Sequence, residues 1–159
     1  MIVYLSLGAN LGNREETLDK AVQLLAAHVG PLIKRSSFFY SKPWGFDSPN
    51  DFCNICASFE TTLDPISLLY TTQQIEKQLG RTRENEKMGK WENGKMRKWE
   101  NEKMRKYHDR PIDIDILLYG DLNIDTPELT LPHKNMRERE FVMVPLREIA
   151  PELSYFAEK

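Results

Sequence analysis

Apolar positions change rhythm several times along the chain, and the changes mark its elements. Ile2–Leu7 is a short β-prone apolar run closed by Gly8, and it reads as a strand. Behind Asn13, a capping residue, Leu18, Ala21, Val22, Leu25 and Ala26 recur at helical spacing. Glu15 and Glu16 lie in the first turn of that helix, where its dipole favours anions, and Gly30-Pro31 stops it. Leu32–Tyr40 reads as a second strand. Residues 41–51 hold Pro43, Gly45 and Pro49 and read as a loop. Phe52–Thr61 alternates as a third strand. Asp64 caps a second helix with Pro65 at its first position; Ile66, Leu69, Tyr70, Gln73, Ile75 and Leu79 follow, and Gly80 ends it. A polar stretch, 81–110, precedes a fourth strand at Ile112–Tyr119. A short extended piece near Leu129–Leu131 and helical pieces after Met136 and near Pro145–Ile149 complete the chain.

The order β-α-β-β-α-β with extra C-terminal helices is the split βαβ, or ferredoxin-like, pattern. It predicts an α+β fold: a mainly antiparallel sheet with helices packed on it. The 159 residues suit one domain, 1–159, with one core. Fold alone carries no chemistry.

Charge narrows the partners. The formal net charge is −2, which gives no reason to expect nucleic acid or an anionic membrane surface. No apolar run approaches the roughly 20 residues needed to span a bilayer. The first residues, Met1-Ile2-Val3-Tyr4, lack the basic segment of a secretory signal. The expectation is a cytoplasmic monomer. Cys53 and Cys56 form a lone C-x-x-C in an apolar run; without a second pair they do not make a zinc site, and strand alternation sends them to opposite faces as buried, reduced thiols.

The polar stretch contains a tandem repeat, E-N-x-K-M-x-K-aromatic, at 84–91, 92–99 and 100–107. Eight Lys or Arg against five Glu leave it at 8 − 5 = +3. Neither a helix nor a strand would align its Met and Trp positions into one buried stripe. It reads first as a solvated insertion, with which a lengthened basic lid over a phosphate site is compatible.

The strongest chemical signal is Arg110-Pro111-Ile112-Asp113-Ile114-Asp115-Ile116-Leu117. On a strand Ile112, Ile114 and Ile116 share one face and Asp113 and Asp115 the other, about 6.5–7 Å apart. Two carboxylates so placed repel unless a cation lies between them. Hard oxygen donors at that spacing suit Mg²⁺, which takes one or two carboxylates plus substrate phosphates. Alone, D-x-D equally fits the wetted face of an amphipathic strand. Arg81, Arg83, Arg110, His133 and Arg139 could converge on a triphosphate. No Walker-type or kinase glycine loop is present, so nucleotide binding would need another scaffold. Phe52 and Asn54, two apart, share a strand face; with Phe141 they could hold a flat heterocycle by stacking and edge hydrogen bonds. Core packing of the aromatics is the plainer alternative.

Together these clusters resemble the 6-hydroxymethyl-7,8-dihydropterin pyrophosphokinase family, from the first residues to about Leu153. The resemblance is carried by Leu7-Gly8-Ala9-Asn10-Leu11-Gly12, Ser41 to Gly45, Asp51-Phe52-Cys53-Asn54, Gln73-Gln74-Ile75-Glu76, Gly80-Arg81-Thr82-Arg83, and Asp109 through Leu117. It continues in Pro132-His133 with Met136, Arg139 and Phe141, and in Pro145-Leu146 with Glu148-Ile149-Ala150-Pro151. It implies transfer of pyrophosphate from ATP to the hydroxymethyl group of the dihydropterin in folate synthesis, with AMP leaving. It implies that Asp113 and Asp115 hold two Mg²⁺ ions. Phe52, Asn54, Phe141 and the Ser41, Lys42, Pro43, Trp44, Gly45 segment would take the pterin. Gln73, Glu76, Arg81, His133 and Arg139 would take ATP, and Arg83 and Arg110 would close over its phosphates and aid transfer. The chain departs from the family in its longer loop between Arg83 and Asp113, most of the excess being the repeat. The family's loop tryptophan aligns most nearly with Tyr107, in competition with Trp91 and Trp99. Two other classes stay open on residues alone: a non-catalytic ligand-sensing module, and a nucleotidyl transferase that would release pyrophosphate and not AMP.

Overall fold

The computed structural model describes residues 1–42, 51–80 and 111–153, with the backbone of two short strands at 90–92 and 95–97. The expected elements are present: β1 (Ile2–Ala9), α1 (Arg14–His28), β2 (Leu32–Arg35), β3 (Phe39–Ser41), β4 (Phe52–Glu60) and α2 (Pro65–Gln78). They are followed by β5 (Lys90–Glu92), β6 (Lys95–Arg97), β7 (Asp113–Tyr119), β8 (Ile124–Asp125), β9 (Thr130–Leu131), a 3₁₀ turn at Met136–Glu138 and α3 (Glu140–Ile149).

The caps act as anticipated. The Asn13 side chain accepts from the Glu16 amide at 3.2 Å, and Asp64 accepts from Ser67 at 2.8 Å with Pro65 in the first turn. Gly30 ends α1 with φ 152°; a Cβ there would stand 1.8 Å from the Glu60 carbonyl oxygen, so the chain can turn this close to β4 only as glycine.

The second expected strand, 32–40, is broken into β2 and β3. The Ser36 hydroxyl substitutes for a ladder carbonyl, accepting from the Cys56 amide at 3.0 Å. The Glu148 carboxylate then takes both the amide and the hydroxyl of Ser37, at 2.9 and 2.8 Å. Side chains thus satisfy backbone donors that a continuous strand would have paired. The helical piece expected near Pro145 extends back to Glu140, with Pro145 inside α3. In the repeat, β5 and β6 pair antiparallel, Lys90 with Arg97 and Trp91 with Met96; the rest of the 84–107 insertion lies outside the described residues.

The main sheet runs β2-β4-β1-β7, with β3 continuing alongside β4, and every described pairing in it is antiparallel. Gly8 faces Asn54 across one ladder and Asp113 across the other. A bulge between Tyr4 and Leu5 shifts the β1–β7 register, and beyond it Leu117 and Leu118 are both buried.

Alternation assigns the two faces. Val3, Leu5, Leu7, Ile55, Phe59, Ile112, Ile114 and Ile116 pack with Leu18, Leu25, Leu68 and Ile75 of α1 and α2. On the opposite face Cys56, Leu117 and Leu118 meet Met136, Val142, Leu146 and Ile149; the described residues leave the other end of that face uncovered. Cys53 belongs to the first cluster and Cys56 to the second, as alternation requires. Burial pushes the Cys53 thiol up to about 11 and Cys56 higher still, so neither is a ready nucleophile. Among the described residues no helix is long and apolar enough to cross a membrane.

Phe59 is fully buried, whereas Tyr70 on α2 is 63% exposed. Phe59→Ala is expected to cost about 3–5 kcal/mol of unfolding free energy, and Tyr70→Ala at most about 0.5 kcal/mol. Urea melts with matched slopes test this; equal midpoints for the two variants would contradict the placement of the core.

Candidate active site

The uncovered part of the sheet forms the floor of a cleft of about 440 Å³. From β1 it shows Ser6 and Gly8, from β4 Phe52 and Asn54, and from β7 Asp113 and Asp115. These positions point the same way because strand side chains alternate and the three strands are in register. Their opposite-facing neighbours, the isoleucines of β7 among them, are in the core.

One end of the cleft is aromatic and amide. Phe52 is 8% exposed and Phe141, on α3, stands at the wall. The Asn54 Nδ2 donates to the Phe39 carbonyl at 3.0 Å and to the Ser41 hydroxyl at 2.8 Å. Those bonds fix the amide so that Oδ1 lies over Gly8, where a Cβ would come within 3.0 Å of it and 3.5 Å of the Phe52 ring. Glycine at position 8 therefore keeps the floor open. An aromatic plane beside a fixed acceptor suits a flat ring with N–H donors on its edge.

The middle is charged. The Arg139 Nη1 lies 3.9 Å from the Asp115 Oδ2, and its guanidinium stands 5.7 Å from the centroid of the Phe141 ring, so it bridges the aromatic end to the acids. Asp113 and Asp115 are half-buried. Their amide neighbour is held too: the buried Glu76 carboxylate of α2 accepts from the Ile114 N–H at 2.8 Å, on the outer edge of β7. His133 follows, its amide donating to the Leu117 carbonyl at 3.0 Å. Its Nδ1 accepts from the Asn135 amide at 3.2 Å, which places the proton of the neutral ring on Nε2. Burial holds His133 below its ordinary value; Arg139 and Lys134 push the same way and Asp113 opposes them.

The far end rounds the outer edge of β7 to Leu69 of α2, Ile116, and the turn before β9. There Thr126, through Oγ1 and its own amide, is tied to Leu129, with Oγ1 to the carbonyl at 3.0 Å.

Nine of the residues anticipated from sequence line this one cleft: Ser41, Lys42, Phe52, Asn54, Asp113, Asp115, His133, Arg139 and Phe141. Gln73 and Glu76 are not among its lining residues. Pro43, Trp44, Gly45, Arg81, Arg83 and Arg110 lie outside the described residues, as do the side chains of Trp91, Trp99 and Tyr107. Sequence reasoning missed Ser6, Leu69, Ile116, Lys134 and the 126–130 turn. Leu69 and Ile116 carried an ordinary core signal; Thr126-Pro127 was a visible turn signal that went unused.

The donor set fits Mg²⁺. Two neighbouring carboxylates give hard oxygen ligands and leave positions for water and phosphate. Among the described residues no group of three or more His, Cys, Asp or Glu could hold a metal.

The model of the 7,8-dihydro-6-hydroxymethylpterin-pyrophosphokinase (HPPK) family matches residues 4–151. Over 151 residues the chain is 44% identical to a 2-amino-4-hydroxy-6-hydroxymethyldihydropteridine pyrophosphokinase of Porphyromonas gingivalis, covering 94% of this chain and 91% of that one. Over 153 residues it is 39% identical to the enzyme of that name in Bacillus subtilis, covering 96% and 80%. Its fold is similar to a crystal structure of an HPPK-DHPS protein in complex with substrates. The TM-score is 0.62 at 14% identity, over 99% of this chain and 42% of that one; a likeness so distant in sequence speaks for the fold alone.

The His133 environment makes a signed prediction. Because folding lowers its pKa, the stabilising contribution is complete above the ordinary value near 6.5 and is lost as pH falls below it. An NMR titration should place its midpoint below the ordinary value near 6.5, with Arg139→Gln raising it and Asp113→Asn lowering it further. A midpoint at or above the ordinary value would contradict the described surroundings.

Proposed function

The chain belongs to the 7,8-dihydro-6-hydroxymethylpterin-pyrophosphokinase family; it is an ATP-using pyrophosphokinase of folate biosynthesis, and we propose that the cleft seats its two substrates end to end across the Asp113–Asp115 pair. The observation that carries this reading is the position of the two acids on the floor between two chemically different ends.

The dihydropterin ring occupies the aromatic end. Phe52 and Phe141 stack on it, and Asn54 accepts from its edge. Ser41 and Lys42, with 43–45 beyond them, complete that end. ATP occupies the other: Leu69, Ile116 and Leu129 offer an apolar seat for the base, while His133 and Arg139 face the phosphates. Neutral His133 donates from Nε2, and Arg139 supplies a fixed positive charge. The substrate hydroxyl oxygen bonds to the β-phosphorus, the bond to the α-phosphate oxygen breaks, AMP leaves and the hydroxyl proton goes to solvent. Asp113 and Asp115 would hold two Mg²⁺ ions, which would neutralise charge building on the phosphate oxygens. Glu76 fixes the strand that carries both acids and so positions them. Gln73, Arg81, Arg83 and Arg110 are assigned to ATP and to transfer by the resemblance of their motifs, with Arg83 and Arg110 as the groups that close over the phosphates.

The finer fold reading is ferredoxin-like. The sheet order β2-β4-β1-β7 supports it when β2 and β3 are taken as one interrupted edge strand. The same reading takes the protein as a cytoplasmic monomer, a compartment in which two reduced thiols are at home.

Incubation with ATP, Mg²⁺ and 6-hydroxymethyl-7,8-dihydropterin should release AMP, with no AMP when the pterin is omitted. Asp113→Asn and Asp115→Asn should each lower kcat at least about a hundredfold with the melting temperature unchanged. Pyrophosphate as the released product would identify a nucleotidyl transferase instead; no nucleotide turnover at all would favour a sensor.

A further inference from the structure

Beside the aromatic end, but outside the cleft, one arginine joins two segments. Arg14, the first residue of α1, sends Nη1 to the Asp51 carbonyl at 2.8 Å. Its guanidinium lies over the Tyr40 ring, 5.4 Å from the centroid. The Tyr40 hydroxyl donates to Glu15 at 2.6 Å, a bond that lowers the Glu15 carboxyl and pushes the Tyr40 phenol up to about 12. Neither Arg14 nor its partners line the cleft.

Both contacts fall next to the site in the chain. Tyr40 precedes Ser41 and Asp51 precedes Phe52, and Ser41 and Phe52 are register partners at the end of the β3–β4 ladder. Ser41 in turn holds the Asn54 amide at 2.8 Å. The described ladder between β3 and β4 ends at this pair, next to the aromatic end of the cleft. A cation in the first turn of a helix opposes the helix dipole. Nearby Glu15, 4.0 Å away, offsets this only weakly, which leaves the two contacts across the loop stems as the reason for an arginine at this position.

We propose that Arg14 is a positioning residue for the flat-ring substrate: by bracing Tyr40 and Asp51 together it sets the separation of Ser41 and Phe52, and through Ser41 the orientation of Asn54. The inference rests on reading the aromatic end as the pterin seat. Lysine cannot replace it, because an ammonium lacks the plane that stacks on Tyr40 while donating sideways to Asp51.

A matched control exists. Arg35 makes a comparable pair of contacts away from the cleft, a carboxylate in place of the carbonyl: it meets Asp19 at 2.9 Å and lies over the Phe38 ring at 5.4 Å. Both arginine side chains are 29% exposed. The test compares wild type, Arg14→Met, Arg14→Lys and Arg35→Met for kcat, for KM of each substrate and for melting temperature. Arg14→Met and Arg14→Lys should raise the dihydropterin KM about five- to tenfold, with kcat and the ATP KM within about twofold. Arg35→Met should lower the melting temperature about as much as Arg14→Met does and leave the dihydropterin KM alone. An unchanged dihydropterin KM in both Arg14 variants, or an equal rise in Arg35→Met, overturns the proposal while leaving the site reading intact. A wild type without dihydropterin-dependent AMP release overturns both.

Discussion

Strand β7 holds two like charges side by side where they would otherwise separate, and the cleft is organised around that constraint. At about 6.5–7 Å and an effective dielectric near 20, two carboxylates repel by about 2.5 kcal/mol, and by less where water reaches them. On the other face of the same strand Ile112, Ile114 and Ile116 are at most 6% exposed. Burying each is worth roughly 1.5–3 kcal/mol, so the core side outweighs the repulsion with margin. The β1 ladder fixes one edge of the strand, and Glu76 takes the Ile114 amide on the other. The acids are thereby held in place before any cation arrives, and preorganised charge of this kind needs no rearrangement during reaction.

The rest of the cleft follows from which parts of the sheet are covered. α1 and α2 close one face. α3 and the 3₁₀ turn close only the part of the other face around Cys56, Leu117 and Leu118. Gly8, Asn54 and the two acids are left at the open part, and small or polar residues there keep the floor deep. Arg139, at the start of α3, reaches from the aromatic wall toward Asp115, so the helix that closes one half of the face also helps to build the other.

Much of this was legible in the residues. Asn13, Asp64 and Pro65 marked both helix starts because capping is local chemistry. The period-two pattern of 112–116 assigned both faces of β7. The break after Arg35 was not legible, because it depends on Glu148, 111 residues from Ser37 in the chain. The extent of α3 was hidden by Pro145, a residue that seldom lies inside a helix but does so here. Asn93-Gly94, a strong hairpin signal, lies between β5 and β6 and was passed over in favour of the repeat's period. At the site, the aromatic end and the acids were readable from motifs of two to five residues. The far wall was not: Leu69, Ile116 and Leu129 are ordinary apolar positions, and only their place around the outer edge of β7 brings them to the cleft.

Everything in the functional reading converges on the acids as the meeting point of metal and nucleotide. The most direct measurement is the binding of Mn²⁺, followed by electron paramagnetic resonance, with and without a non-hydrolysable ATP analogue. The account predicts about two ions per chain in the presence of the analogue, with at least one lost in Asp113→Asn and in Asp115→Asn. Analogue binding that is equally tight in a chelator, with a metal count that neither substitution changes, would contradict it.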